Sequence, residues 1–106
     1  MSDLTLTKAE KGGSFEVQKD DVIVVRLPEN PTTGYRWAFE EVDGKILERE
    51  GSDFALRSDA GIGGGGERSL TLRAKRAGMA HVELKLTRPW EQREEIDRYN
   101  FTVQVG

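Results

Sequence analysis

Tyr99-Asn100-Phe101-Thr102-Val103-Gln104-Val105, near the end of the 106-residue chain, alternates apolar and polar side chains without a break. A two-residue period puts successive side chains on opposite faces of an extended strand, one toward a core and one toward water. The same device recurs along the rest of the chain. Val82 with Leu84 and Leu86, Leu70 with Leu72, and Phe54 with Leu56 carry it back to the middle. Tyr35, Trp37 and Phe39, then Ile23, Val25 and Leu27, Phe15 with Val17, and Leu4 with Leu6 complete it. The segments are short and rich in Val, Thr and aromatics. They are broken at Gly12-Gly13, Pro28, Asn30-Pro31, Gly61 to Gly66, Gly78 and Pro89, which argues against helices. A short helical turn within Glu41 to Glu50 is the one departure the pattern admits. The expectation is an all-β chain of about seven to eight strands, folded as an immunoglobulin-like sandwich of two antiparallel sheets with Trp37 as its core tryptophan. Residues 1–106 are expected to form a single domain, because this length suits one hydrophobic core.

Composition narrows the function classes. With no cysteine the chain has no disulfide framework, no thiol chemistry and no sulfur-ligated zinc. A net charge of −3 argues against a partner bound through its phosphate backbone, since such binding needs clustered Lys and Arg. No apolar run approaches the roughly eighteen residues of a membrane span. The missing cysteines and the lack of an apolar leader favour a cytoplasmic location, with export open if a leader has been removed. Neither nucleic acid nor membrane is expected as a partner, and the free protein is expected to be a monomer.

Three segments stand out between the strands. Leu27-Pro28-Glu29-Asn30-Pro31-Thr32-Thr33-Gly34-Tyr35 reads as a stiff, projecting loop. Pro28 and Pro31 fix φ, Asn30 is pushed toward extended geometry by the proline after it, and Gly34 tolerates a positive φ. Composition alone is equally satisfied by an ordinary turn. Gly61-Ile62-Gly63-Gly64-Gly65-Gly66 contains a formal G-x-G-x-x-G match, but the following Arg68 to Arg73 alternates as a strand where a dinucleotide site needs a helix. Glu67 also stands where a phosphate loop needs Lys. This segment reads either as a hairpin connection or as bare backbone that another protein approaches closely. Arg88-Pro89-Trp90 follows a strand whose apolar face ends at Leu86, which leaves Trp90 on a loop beyond the sheet or folded back over its end. Trp and Arg are the residue types most enriched at interface hot spots.

Nothing assembles into a catalytic set. The single histidine, His81, has no second imidazole or thiol for a metal or a triad, and no cofactor is expected. Glu91, Glu94, Glu95 and Asp97 are interspersed with Arg93 and Arg98 as on a solvated loop. Asn100-Phe101-Thr102 is a formal glycosylation sequon set within a strand pattern. The expectation is a binding protein and not an enzyme.

The three segments, in this order and spacing, resemble the chagasin family, whose members carry an N-P-T-T-G-[YF] loop, a glycine-rich loop and an R-P-W loop. Here these are Asn30 to Tyr35, Gly61 to Gly66, and Arg88 to Trp90. The resemblance spans the chain and outweighs the turn-only readings. It implies reversible, non-covalent inhibition of papain-family cysteine peptidases by three loops gathered at one end of the sandwich. It further implies that Thr32 and Thr33 cover the catalytic centre, with Thr33 nearest the catalytic cysteine, while Arg88 and Trp90 grip one wall and Gly63 to Gly66 the other. The four consecutive glycines after Ile62 depart from the family pattern and would raise the cost of ordering that loop. The alternative is an immunoglobulin-like adhesion or ligand-recognition module that uses the same end against a non-peptidase partner.

Overall fold

The computed structural model describes residues 3–30, 33–56, 65–88 and 90–106. Eight strands follow one another as β1 (Asp3–Leu6), β2 (Ser14–Val17), β3 (Val22–Glu29), β4 (Arg36–Val42), β5 (Leu47–Leu56), β6 (Gly66–Ala74), β7 (Gly78–Arg88) and β8 (Glu91–Val105). A 3₁₀ turn, Lys8–Glu10, separates β1 from β2. The strands form two four-stranded sheets, ordered β1-β3-β6-β5 and β2-β8-β7-β4.

The alternating residues fill the space between the sheets. Ile23, Val25, Leu27, Leu70 and Leu72 from one sheet meet Trp37, Val82, Leu84, Tyr99, Phe101 and Val103 from the other, each essentially excluded from water. This packed interior is what the two-residue period specifies, because a slip of one residue would turn every one of these side chains outward.

One expectation is corrected by the strand order. The sheets are mixed rather than wholly antiparallel, since β1 pairs parallel to β3 and β2 parallel to β8. A parallel pair needs a crossover, and the chain supplies one by placing β2 in the opposite sheet between β1 and β3. The segment from 41 to 50 is strand on both sides of a tight turn. Leu47 N–H donates to the Asp43 carbonyl at 2.9 Å and Lys45 N–H to the Asp43 carboxylate at 3.0 Å, so the helical character stops at one turn. β5 begins directly after it, and Leu47 is a core residue.

Register decides where the connections emerge. Glu29 of β3 and Leu56 of β5 both stand opposite Gly66, the first residue of β6. In the other sheet Arg36 at the start of β4 stands opposite Thr87, and Arg88 at the end of β7 opposite Glu91. The β3–β4, β5–β6 and β7–β8 connections therefore all leave the same end of the sandwich.

Candidate functional site

β3 runs on through Pro28 and Glu29 before the first connection begins. Proline is tolerated there because β1 reaches only as far as Val25, so β3 is an edge beyond that point. The Pro28 carbonyl accepts the Trp37 indole N–H at 2.9 Å. Trp37, at the start of β4 and only 3% exposed, is thereby fixed to the residue that opens the connection.

Within the connection, Asn30, Thr33, Gly34 and Tyr35 are described, whereas Pro31 and Thr32 lie outside the described residues. The Thr33 hydroxyl donates to the Asn30 carbonyl at 2.8 Å, and the Tyr35 N–H donates to that hydroxyl at 3.3 Å. Thr33 N–H also reaches the Asn30 carbonyl at 3.3 Å. One threonine side chain thus closes the turn on itself. Gly34 follows with φ of +80°, a conformation in which an L side chain is strained. A Cβ on Gly34 would also stand 2.8 Å from the Trp90 ring, so the absence of a side chain lets the indole rest on the backbone.

That contact joins the first and third connections. Trp90 is 73% exposed and lies beyond the sheet, one of the two placements that its position after Leu86 leaves open, with its ring edge against Gly34. Arg88 reinforces the junction, its guanidinium 4.5 Å from the centre of the Tyr35 ring and its Nε–H directed at the Thr33 carbonyl at 3.3 Å. Pro89 lies outside the described residues. The two connections thus present one continuous surface.

Of the glycine-rich segment, Gly61, Ile62, Gly63 and Gly64 lie outside the described residues. Gly65 is the only described residue of the six that precedes a strand, and a Cβ there would sit 3.4 Å from the Glu29 carbonyl oxygen. Gly66, expected in the loop, instead begins β6 and is buried. A side chain on it would collide with the Ala55 carbonyl oxygen and the Phe54 ring, so this glycine serves packing between neighbouring strands.

Beneath these connections lies a charged pair that the sequence reading did not single out. The Glu29 carboxylate, 2% exposed, accepts Arg68 Nη2–H at 2.8 Å, Arg68 Nε–H at 3.0 Å and the Trp37 backbone N–H at 2.9 Å. Arg68 Nη1–H reaches Ser52 Oγ at 3.1 Å, and the guanidinium lies 5.4 Å from the Phe54 ring centre. Each of the three guanidinium nitrogens thus donates at least one hydrogen bond, two of them to the buried carboxylate, which is how a buried charge is tolerated. The signal was present in the alternation. Ile23, Val25, Leu27 and Glu29 share one parity, as do Arg68, Leu70 and Leu72, so both charges fall on inward positions at the same end. Above the pair a cleft of about 320 Å³ opens between Tyr35, Phe54 and Trp90.

Comparison with known proteins agrees with this arrangement. The model of the chagasin family peptidase inhibitor I42 matches residues 16–105. The sequence is 31% identical over 105 residues to chagasin of Trypanosoma cruzi, covering 94% of each chain. It is 28% identical over 91 residues to amoebiasin-2 of Entamoeba histolytica, covering 85% of this chain and 74% of that one. The fold is similar to the crystal structure of a cysteine protease inhibitor from Entamoeba histolytica, with a TM-score of 0.90 at 23% identity, covering 100% of this chain and 97% of that one. A match that runs from β2 through β8, on a sandwich with all three motif-bearing connections at one end, assigns the chain to the chagasin family of peptidase inhibitors, which are not enzymes.

Proposed function

We propose that this protein is a reversible, non-covalent, tight-binding inhibitor of papain-family cysteine peptidases, and that its three connections occlude the active-site cleft. The observation that carries this reading is the locked junction of Thr33, Gly34 and Tyr35 with Arg88 and Trp90. A binding surface held by its own contacts has little left to order on association, so an interface of about 800 Å² per partner supports tight binding. The two-sided shape, with the first connection as the leading edge and an exposed indole beside it, suits a groove better than a flat partner.

Resistance to cleavage follows from the same residues. Pro31 has no N–H for the extended backbone ladder by which peptidases hold substrates, and the Thr33 hydroxyl bonds keep the chain turned instead of extended. Non-covalent occlusion also fits a chain without a cysteine thiol. Titrating active papain should abolish its activity in proportion to added inhibitor, and mass spectrometry should recover the inhibitor uncut, while chymotrypsin stays fully active. Undiminished papain activity in a micromolar excess of the protein would overturn the proposal and leave the same loop end to a non-peptidase partner.

A further inference from the structure

We infer that Glu29 and Arg68 are positioning residues that hold the inhibitory surface in its binding-competent shape, an inference that rests on the proposed function for its peptidase readout. The Glu29 carboxylate lies at the one point where both stems of the first connection and one stem of the second converge. It belongs to the last residue before Asn30, it accepts the N–H of Trp37 where β4 begins, and its guanidinium partner sits two residues into β6. Ser52 of β5, on the other side of the glycine-rich connection, is drawn into the same fork. The carboxylate links the two sheets here, since Glu29 and Arg68 belong to one and Trp37 to the other, alongside the Trp37 indole bond to the Pro28 carbonyl.

Stability alone does not account for such a pair. Removing two charges from water costs about as much as their attraction returns, and replacing both by neutral groups of similar volume is often neutral or stabilising. What the pair adds is direction. Its three hydrogen bonds to the carboxylate fix the angle at which β3 leaves one sheet and β4 enters the other, and hence where Thr33 to Tyr35 meet Trp90. Greasy replacements would fill the volume while leaving that angle free.

The test uses Arg68→Met and the neutral double variant Glu29→Gln/Arg68→Met. The single change leaves a buried carboxylate unpaired and is the one at risk of misfolding, whereas the double change leaves no buried charge and keeps an acceptor for Trp37. With circular dichroism confirming the fold, the double variant should associate with papain at least about tenfold more slowly, with dissociation altered less than about twofold, because only the fraction in the competent shape binds. Amide exchange at Tyr35, whose N–H bonds Thr33 and neither substituted side chain, should accelerate by about tenfold or more, because exchange follows the fraction outside the competent shape. This second reading needs no peptidase, so failure of wild type to inhibit papain would sink the proposed function while leaving the positioning role still decided by exchange. A folded double variant with wild-type association and wild-type Tyr35 exchange overturns the inference. So does a loss of inhibition carried by dissociation alone, which would make the pair a contact and not a support.

Discussion

At the scale of single residues, the two tryptophans have opposite tasks. Trp37 is buried, and its backbone and indole N–H groups bond Glu29 and the Pro28 carbonyl, so Trp37→Ala should cost about 3 to 5 kcal/mol of stability. Trp90 is exposed and rests against the connection surface at Gly34, so Trp90→Ala should leave the melting temperature almost unchanged while weakening inhibition by about 2 kcal/mol or more. Equal loss of stability by calorimetry in both variants would refute the division. Thr33 is a subtler case, because its hydroxyl is already engaged with Asn30 and Tyr35. Thr33→Ser should inhibit nearly as wild type, and Thr33→Ala should lose about 1 kcal/mol, the worth of one neutral hydrogen bond. Thr33→Asp cannot donate to the Asn30 carbonyl, and on the proposed reading it brings a carboxylate toward a thiolate, so inhibition should weaken by several kcal/mol, mostly through faster dissociation. Wild-type dissociation from papain in Thr33→Asp would remove the first connection from the catalytic centre.

Among the elements, the 3₁₀ turn after β1 acts as a strap across the sandwich. Thr7 N–H is capped by the Glu10 carboxylate at 3.0 Å, Lys8 pairs with Asp97 of β8 at 2.8 Å, and Gly12 N–H reaches the Asn100 carbonyl at 2.8 Å. Burial would raise the Asp97 carboxyl, but the Lys8 hydrogen bond, the Arg98 N–H and the Lys8 and Lys11 charges outweigh it and hold the group below the usual carboxylate range. Tyr99 completes the strap by donating its hydroxyl to the Thr7 carbonyl at 2.6 Å. Burial, assisted by the Glu10 charge, pushes that hydroxyl up to about 12. A solvated tyrosine ionises near pH 10, so the unfolded chain releases this proton first as pH rises. The contribution is therefore intact below about pH 10 and is lost progressively as pH climbs toward about 12. Urea midpoints measured on both sides of this window should fall more steeply for wild type than for Tyr99→Phe. Parallel losses in the two proteins would show that Tyr99 is not the group responsible.

For the whole molecule, we propose that residues 1–106 form one cooperative unit. The buried residues of both sheets make a single cluster, from Leu6 in β1 to Val105 in β8. Among the described residues four of the six strand pairings join strands that are not consecutive in the chain, β1 with β3, β3 with β6, β2 with β8 and β4 with β7, so each sheet draws on separated stretches of sequence. Unfolding in guanidinium followed by Trp fluorescence and by far-ultraviolet circular dichroism should give coincident transitions. Separate midpoints would divide the chain into independently stable parts.

What the sequence by itself determined was whatever a local period or a local constraint can carry. The alternation from Leu4 to Val105 specified strands and their inward faces, and with them Trp37 as core, because side-chain direction in a strand is fixed by counting in twos. The prolines and glycines of the three motif-bearing connections marked them as breaks between strands, whereas their reading as one binding surface came from the family resemblance of their order and spacing. The tertiary structure alone decided which strands became neighbours: the parallel edges made by β1 and β2, the burial of Gly66 between Phe54 and Ala55, and the meeting of Trp90 with Gly34. Glu29 and Arg68 stand between these cases. Each occupied an inward position that could be counted, but a buried charge is tolerable only beside its opposite, and they are 39 residues apart in the chain. That partnership exists only once β3 and β6 have paired in register.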